Sequence, residues 1–363
     1  MTTKNIFIAL TGPEIKQRNK IYKIAQGYEC WNLRKFDFDD FILAIKQRIQ
    51  PINDNVLGNY KSGAQDKRNL FGVTSDEYRN CSWGLLLPDN VPGSIVNSYA
   101  EISFLLNLYS SHFLYPTFYV SNFGIYRLEH KKHSMLYFHG QNQAKIFKQK
   151  EFVKYFEKLL PQSVYGTWQR DRCTNWDKED WRLFVASLLY QELKAYENEK
   201  EVITWQREAA DMITILECLF TAEDSINEEI GYRLRKRIAA LIGFKFEDIE
   251  KDIKQLYTER SKFVHGSFFV GVGKEAKKEN SVSALPLPDF GFLYKHKEYI
   301  RYALIAYLGL ALQLKRPKTI GTSSEIKRPL DLLEKSIIDL NVRIQISRQT
   351  KELFSLLPQI RKE

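Results

Sequence analysis

From Trp176 to Leu357 the apolar residues of this chain recur every three to four positions, segment after segment. That period belongs to the α-helix. An amphipathic helix can hide its apolar stripe only against another element, so this stretch is constrained to a helical bundle. Lys178 to Tyr196 opens with an acidic first turn and carries Leu183, Val185, Leu188, Leu189 and Leu193. Val202 to Phe220 follows, then Ile226 to Ile242 closed by Gly243, then Phe246 to Val264 closed by Gly266. Lys297 to Leu314 is a further helix, and Leu330 to Leu357 is another, expected to break near Arg348. Between them Gly271 to Asp289 is polar, contains Lys and Pro, and reads as a mobile loop.

The first half of the chain has a different grain. Strand-like pieces rich in Ile, Leu, Tyr and Phe lie at Asn5 to Leu10, Gly84 to Leu87, Thr117 to Leu128 and Ser134 to His139. Turn chemistry separates them, as at Gly12-Pro13, Pro88-Asp89-Asn90 and Gly140-Gln141-Asn142. Val96 to Tyr109 has helical periodicity. With 363 residues, and roughly 150 per domain, the expectation is an α+β N-terminal domain over 1–170 followed by an all-α bundle over 175–363. The protein is then predominantly helical, with a linker around Tyr165 to Thr174.

Composition narrows the function classes. Cys30, Cys81, Cys173 and Cys218 form no CxxC pair, which argues against a disulfide framework or zinc knuckle and for reduced, cytoplasmic thiols. The apolar run Ile6 to Leu10 is too short for a signal-peptide core. The longest apolar run, Ala303 to Leu312, falls well below the ~20 residues a bilayer span needs. A soluble protein without a membrane partner is expected. The net charge of +10 points weakly to a polyanionic partner. His130, His133 and His139 fall on strand-like sequence with 130 and 133 on opposite faces, so they do not read as a metal site. Gly271-Val272-Gly273-Lys274 lacks the strand, spacing and hydroxyl of a phosphate loop. Asp37, Asp39 and Asp40 are the nearest approach to grouped carboxylates and read as a solvated turn.

The most informative run is Leu256-Tyr257-Thr258-Glu259-Arg260-Ser261-Lys262-Phe263-Val264-His265-Gly266. At about 100° per residue from Ile249, Ile253 falls at about 40°, Leu256 at about 340°, Phe263 at about 320° and Val264 at about 60°. Arg260 lands at about 20°, inside that apolar stripe. A guanidinium is always charged, and burying it unpaired costs several kcal/mol. Its position asks for a buried carboxylate, a subunit interface or a bound anion. Glu217, on a helix apolar nearly all round (Ile213, Leu216, Leu219, Phe220), needs a cation in turn and could orient Arg260. His265 precedes a good helix-closing glycine, so it sits near the C-cap, roughly 7–8 Å along the axis from Arg260. The negative end of the helix dipole favours its protonated form, which suits a general acid. A purely structural reading uses the same residues, with Arg260 neutralising Glu217 and His265 capping the helix. Arg233, Arg235, Lys236 and Arg237 form a basic run beside the apolar face Ile230, Leu234, Ile238 and Leu241. That run reads first as a solvated face and second as an RNA-backbone contact, and Lys262 has the same balance.

The set of Ile215-Leu216-Glu217-Cys218-Leu219-Phe220, then Leu234 to Gly243, then the Arg260-x4-His265-Gly266 helix resembles the HEPN superfamily. Within it the match is to the Apea-like HEPN group of prokaryotic defence proteins, over about Val202 to Leu314. The resemblance implies a metal-independent and cofactor-free endoribonuclease of abortive-infection or toxin type. It would be built as a HEPN-like helical bundle in which two copies face each other. Arg260 and His265 would be catalytic, while Ser261, Lys262, Glu217 and Arg237 are candidates for binding or orienting substrate. The implied partners are RNA, a second copy of the chain, and an antitoxin or phage trigger. Many active members carry Asn, Asp or His after the arginine, where this chain has Ser261. That substitution favours an alternative, a non-catalytic HEPN module that binds RNA, a nucleotide or a protein. A purely structural dimerisation domain is a third reading.

Overall fold

The computed structural model divides the chain into two compact units, Met1–Asn175 with Leu356–Glu363, and Trp176–Ser355. It describes residues 4–11, 20–25, 28–49, 75–89, 104–105, 107–109, 115–121, 124–127, 149–159, 178–195, 204–221, 230–243, 246–264, 290–314 and 328–357.

The first unit is α+β. Its antiparallel sheet consists of β1 (Lys4–Thr11), β2 (Ile21–Ala25), β3 (Tyr28–Asn32), β4 (Trp83–Asp89), β5 (Tyr115–Ser121) and β6 (Gly124–Arg127). The spatial order is β2-β3-β4-β1-β5-β6. Strand β1 is interior because Ile6-Phe7-Ile8-Ala9-Leu10 is apolar at every position, so neither face tolerates water; all five residues are at most 1% exposed. Its register sets Phe7 opposite Leu86 and Val120, and Ile8 opposite Leu85 and Tyr119. The β2–β3 pair was not anticipated, and the expected strand at 117–128 is two paired strands, with Val120 opposite Ile125. The expected strand at 134–139 lies outside the described residues. Of the expected helix at 96–109, residues 104–105 and 107–109 are helical.

Strand alternation divides the core between the two sheet faces. Phe7, Ala9, Trp31, Leu86 and Phe118 meet Phe41 and Ile45 of α1 (Phe38–Arg48) and Tyr78 of α2 (Ser75–Asn80). The rings interlock, with centroids 5.1 Å apart for Phe7–Trp31, 5.3 Å for Phe7–Phe41 and 4.9 Å for Phe41–Tyr78. Trp83 belongs to the opposite face and meets Phe152 of α3 (Gln149–Leu159) at 5.6 Å. Asp37, Asp39 and Asp40 are exposed, as a solvated segment should be, and they open helix α1. Asp37 caps α1, accepting from the Asp40 backbone N–H at 2.7 Å, and the other two sit in the positively polarised first turn.

Gly84 shows how tight the first face is. A Cβ there would run into the Phe7 ring, which is wedged among Trp31 and Phe41 and has no room to move. Gly84→Ala is expected to destabilise the unit by about 1–3 kcal/mol through overpacking. Denaturant unfolding checks this, and Gly84→Ala on a Phe7→Leu background should recover part of the loss.

Among its described residues the second unit is helical: α4 (Lys178–Ala195), α5 (Thr204–Phe220), α6 (Ile230–Ile242), α7 (Phe246–Val264), α8 (Phe290–Leu314), α9 (Pro329–Ile338) and α10 (Leu340–Phe354). Helix α8 is the axle of the bundle. It is buried without interruption from Ala303 to Ala311, and it packs against α5, α6, α7, α9 and α10. The break in the last helix falls at Asp339, not near Arg348. The Asp339 carboxylate caps α10 by accepting from Asn341 N at 2.9 Å and Val342 N at 3.3 Å, which ends α9. Gly243 closes α6 at φ 68°, a conformation that disfavours a side chain. Among the described residues no helix is long and apolar enough to cross a membrane. Cys30, Cys81 and Cys218 are free thiols, and burial pushes the Cys218 thiol pKa up.

Candidate functional site

Helix α7 carries the Arg260 region. Glu247 and Asp248 in its first turn complement the helix dipole, and Ile249, Ile253 and Leu256 sink into the bundle at 2% exposure or less. The apolar stripe does not stay buried to its end, because Val264 is 53% exposed. Arg260 therefore lies where the stripe leaves the core, and its side chain keeps 29% of its surface. This removes the severe desolvation cost that a central position would carry, so the arginine needs less compensation than its wheel angle suggested.

Two groups hold it. Arg260 Nη2 lies 3.7 Å from Glu217 Oε2 on α5, and its guanidinium carbon lies 5.8 Å from the Tyr257 ring centroid, one turn earlier on α7. The contact with Glu217 is an ion pair through one nitrogen, longer than a hydrogen bond. A bidentate pair would occupy the guanidinium fork, whereas this arrangement orients the side chain and leaves N–H donors for another oxyanion. Glu217 has 24% of its side chain exposed on a helix whose Ile213, Leu216, Leu219 and Phe220 are fully buried. Ser261 is half-buried beside Arg260. His265 and Gly266 lie outside the described residues, as does the Lys262 side chain.

The neighbouring turn of α6 meets this region through Gly231, where a Cβ would stand 3.9 Å from both the Tyr257 ring and Arg235 Nη1. Lys236 bonds Glu250 of α7 at 2.7 Å, and Arg235 Nε lies 3.9 Å from the same carboxylate. Tyr232 stands exposed between the two cations, with Arg235 Cζ at 5.9 Å and Lys236 Nζ at 5.6 Å from its ring centroid.

Arg237 departs from its expected place. It is only 4% exposed, so it belongs neither to a solvated face nor to a surface that meets RNA. Its fork closes on Glu334 of α9, with Nε at 2.9 Å and Nη2 at 2.6 Å from Oε2, while Nη1 donates to the Phe220 carbonyl. That carbonyl is at the end of α5, where no intrahelical donor reaches it. Arg237 thus ties α6 to α5 and α9, a structural task that no periodicity in its own helix signals.

A second polar cluster braces α7 against α8. Asp252 accepts from Tyr299 at 2.7 Å and pairs with Lys295 at 2.6 Å, and buried His296 places Nε2 2.9 Å from the Asp252 carbonyl. Burial pushes the Asp252 carboxyl pKa up, but the hydrogen bonds from Lys295 and Tyr299 outweigh it and hold the carboxyl below its ordinary value. Burial and the bond to Asp252 raise the Tyr299 phenol. Deeper still, Arg301 at 2% exposure pairs with Glu298 at 2.5 Å. These groups spend their donors on one another. Among the described residues no group of His, Cys, Asp and Glu could hold a metal ion. His130, His133, His139 and the Gly271 to Lys274 run lie outside the described residues. Comparison of the chain with protein-family models, curated proteins and solved structures finds no match.

Proposed function

We propose that the helical unit is a HEPN-type, metal-independent ribonuclease module acting in prokaryotic defence, with Arg260 and His265 as its catalytic residues. The observation that carries this reading is the state of Arg260. It is oriented by Glu217 and Tyr257, partly open to solvent, and not consumed by a bidentate partner. The R-x4-H spacing, which starts in the penultimate turn of α7, supports it from the sequence side. The chemistry fits these side chains. The RNA 2′-hydroxyl attacks the adjacent phosphorus, the bond from phosphorus to the 5′-oxygen breaks, and a 2′,3′-cyclic phosphate remains. A base accepts the 2′-proton and a protonated imidazole gives one to the leaving 5′-oxygen, so no metal is required. The Arg260 fork meets the charge that gathers on the phosphate oxygens. Two copies facing each other would supply both an acid and a base. The α+β unit is then a sensor or restraint, answering to a phage trigger or an antitoxin.

The test is cleavage of single-stranded RNA by the purified protein in EDTA. Wild type is expected to cut and leave cyclic-phosphate ends, and Arg260→Ala and His265→Ala are expected to be silent while folded. Cleavage that survives both substitutions removes the assignment. Ser261, in place of a common Asn, Asp or His, favours a second reading as a non-catalytic RNA, nucleotide or protein binder. RNA binding without turnover, equal in wild type and His265→Ala, selects that reading instead.

A further inference from the structure

A cavity of about 350 Å³ opens in the helical unit between the end of α6, the first residue of α7 and one side of α10. It stands apart from the Arg260 region. Phe246, which lines it, begins the helix that Arg260 nearly ends, and at 1.5 Å per residue the two are about 21 Å apart along the axis. Its charged lining is all of one sign, made of Arg343, Arg348 and Lys351, with no carboxylate in the wall. The remaining surface is apolar or small, chiefly Phe246, Ile344 and the backbone at Gly243.

The depth of the cavity follows from the backbone. Gly243 has φ 68°, and a Cβ there would come within 2.6 Å of Ser347 Oγ and 3.2 Å of its Cα. Helices α6 and α10 can approach this closely only because the position is glycine. Arg343 is a fixed part of the wall. Its Nε donates to the Ser336 carbonyl at 3.1 Å, its Nη2 to the Ile337 carbonyl at 2.8 Å, and its guanidinium lies 4.5 Å from the Phe246 ring centroid. It caps the end of α9 and still turns positive charge towards the cavity. Arg348 and Lys351 are exposed on α10, one turn apart, beside Ile344, which is 47% exposed. Among the described residues neither side chain has a hydrogen-bond or ion-pair partner.

We propose that this groove binds a phosphate ester, with Arg348 and Lys351 on the phosphate and the apolar wall of Ile344 and Phe246 against the organic part. A guanidinium fork and an ammonium beside a third, immobilised cation match the oxygens of a phosphate better than an isolated surface charge does. The volume lies at the lower end of the ~300–1,000 Å³ usual for small-molecule sites, which suits a single nucleotide. A free nucleotide and one nucleotide of an RNA strand share this chemistry. The proposal does not depend on catalysis at Arg260.

Titration calorimetry on the full chain, with AMP, inorganic phosphate and a short 5′-phosphorylated RNA as separate probes, tests it. Binding of AMP more tightly than inorganic phosphate is expected for a free-nucleotide site, and binding of the RNA alone for a strand-bound one. Arg348→Glu and Lys351→Glu change exposed positions, so they should fold, as circular dichroism will verify. Each should weaken the bound probe by about tenfold or more. The proposal is overturned if no phosphate probe binds, if both glutamate variants bind like wild type, or if polyglutamate displaces the probe as well as AMP does.

Discussion

Arg260→Lys is expected to lose at least about a hundredfold in RNA cleavage with little change in stability. Lysine keeps the charge but replaces a rigid planar fork of donors with one mobile ammonium, whose three donors are not preset to the spacing of two phosphate oxygens. Loss of one oriented donor to a developing oxyanion costs about 10²–10³ in rate. Glu217→Gln is the informative companion. It keeps the shape and removes the charge that steers Arg260 Nη2 from 3.7 Å, so a loss of about tenfold or less is expected. The lysine and glutamine changes together should cost less than the product of their separate effects, because both act through one guanidinium. Single-turnover cleavage rates and melting curves on the four proteins measure this. If Arg260 only neutralises Glu217, both substitutions will leave cleavage untouched.

Arg237→Met should have the largest effect on stability. Methionine retains the apolar stem of the side chain but leaves the Phe220 carbonyl without a donor and Glu334 without its cation. Breaking a buried pair costs about 3–5 kcal/mol when both partners are buried. Glu334 keeps 43% of its side chain exposed and can rehydrate, so about 3 kcal/mol is expected for Arg237→Met. Glu334→Gln should cost closer to about 1 kcal/mol, the net worth of an exchanged hydrogen bond. At roughly 2–4 °C per kcal/mol for a unit of this size, the Arg237→Met midpoint should drop by about 6–12 °C. A change within about 0.5 kcal/mol would show that the three-way contact carries no stability.

How far the fold was readable depended on whether local signals agreed with one another. Helix α7 was read from end to end because acidic residues opened it and an apolar stripe ran through it. Helix α8 extends back to Phe290, beyond the Lys297 expected from periodicity, since its early residues carry charges that pair across the bundle, Lys297 with Glu208 and Lys295 with Asp252. The break at Asp339 was signalled by a capping residue after Ile337-Ile338 and was misplaced because the pattern resumes in step on both sides. In the first unit, β2 and β3 were missed because Tyr22-Lys23 and Glu29-Cys30 do not alternate cleanly, and pairing with β4 supplies what propensity lacks. At the candidate site, the partnership of Arg260 with Glu217 could be anticipated from two charges set among apolar residues. The role of Arg237 could not, since its partners lie on α5 and α9.

The amino-acid order alone determined that the chain after Trp176 is built on helices, as its described residues are, that α7 has one apolar face, and that Arg260 and Glu217 are charges in apolar company. Those are properties of segments a few turns long, where the helical period and the free energy of burying a side chain are local quantities. Only the tertiary structure decided which charge goes inward. Arg237 and its neighbours Arg235 and Lys236 are alike in sequence, yet Arg237 faces the Phe220 carbonyl and Glu334 while the others face Glu250. Burying a guanidinium becomes tolerable only where distant helices deliver acceptors to it, and that delivery depends on how the bundle closes.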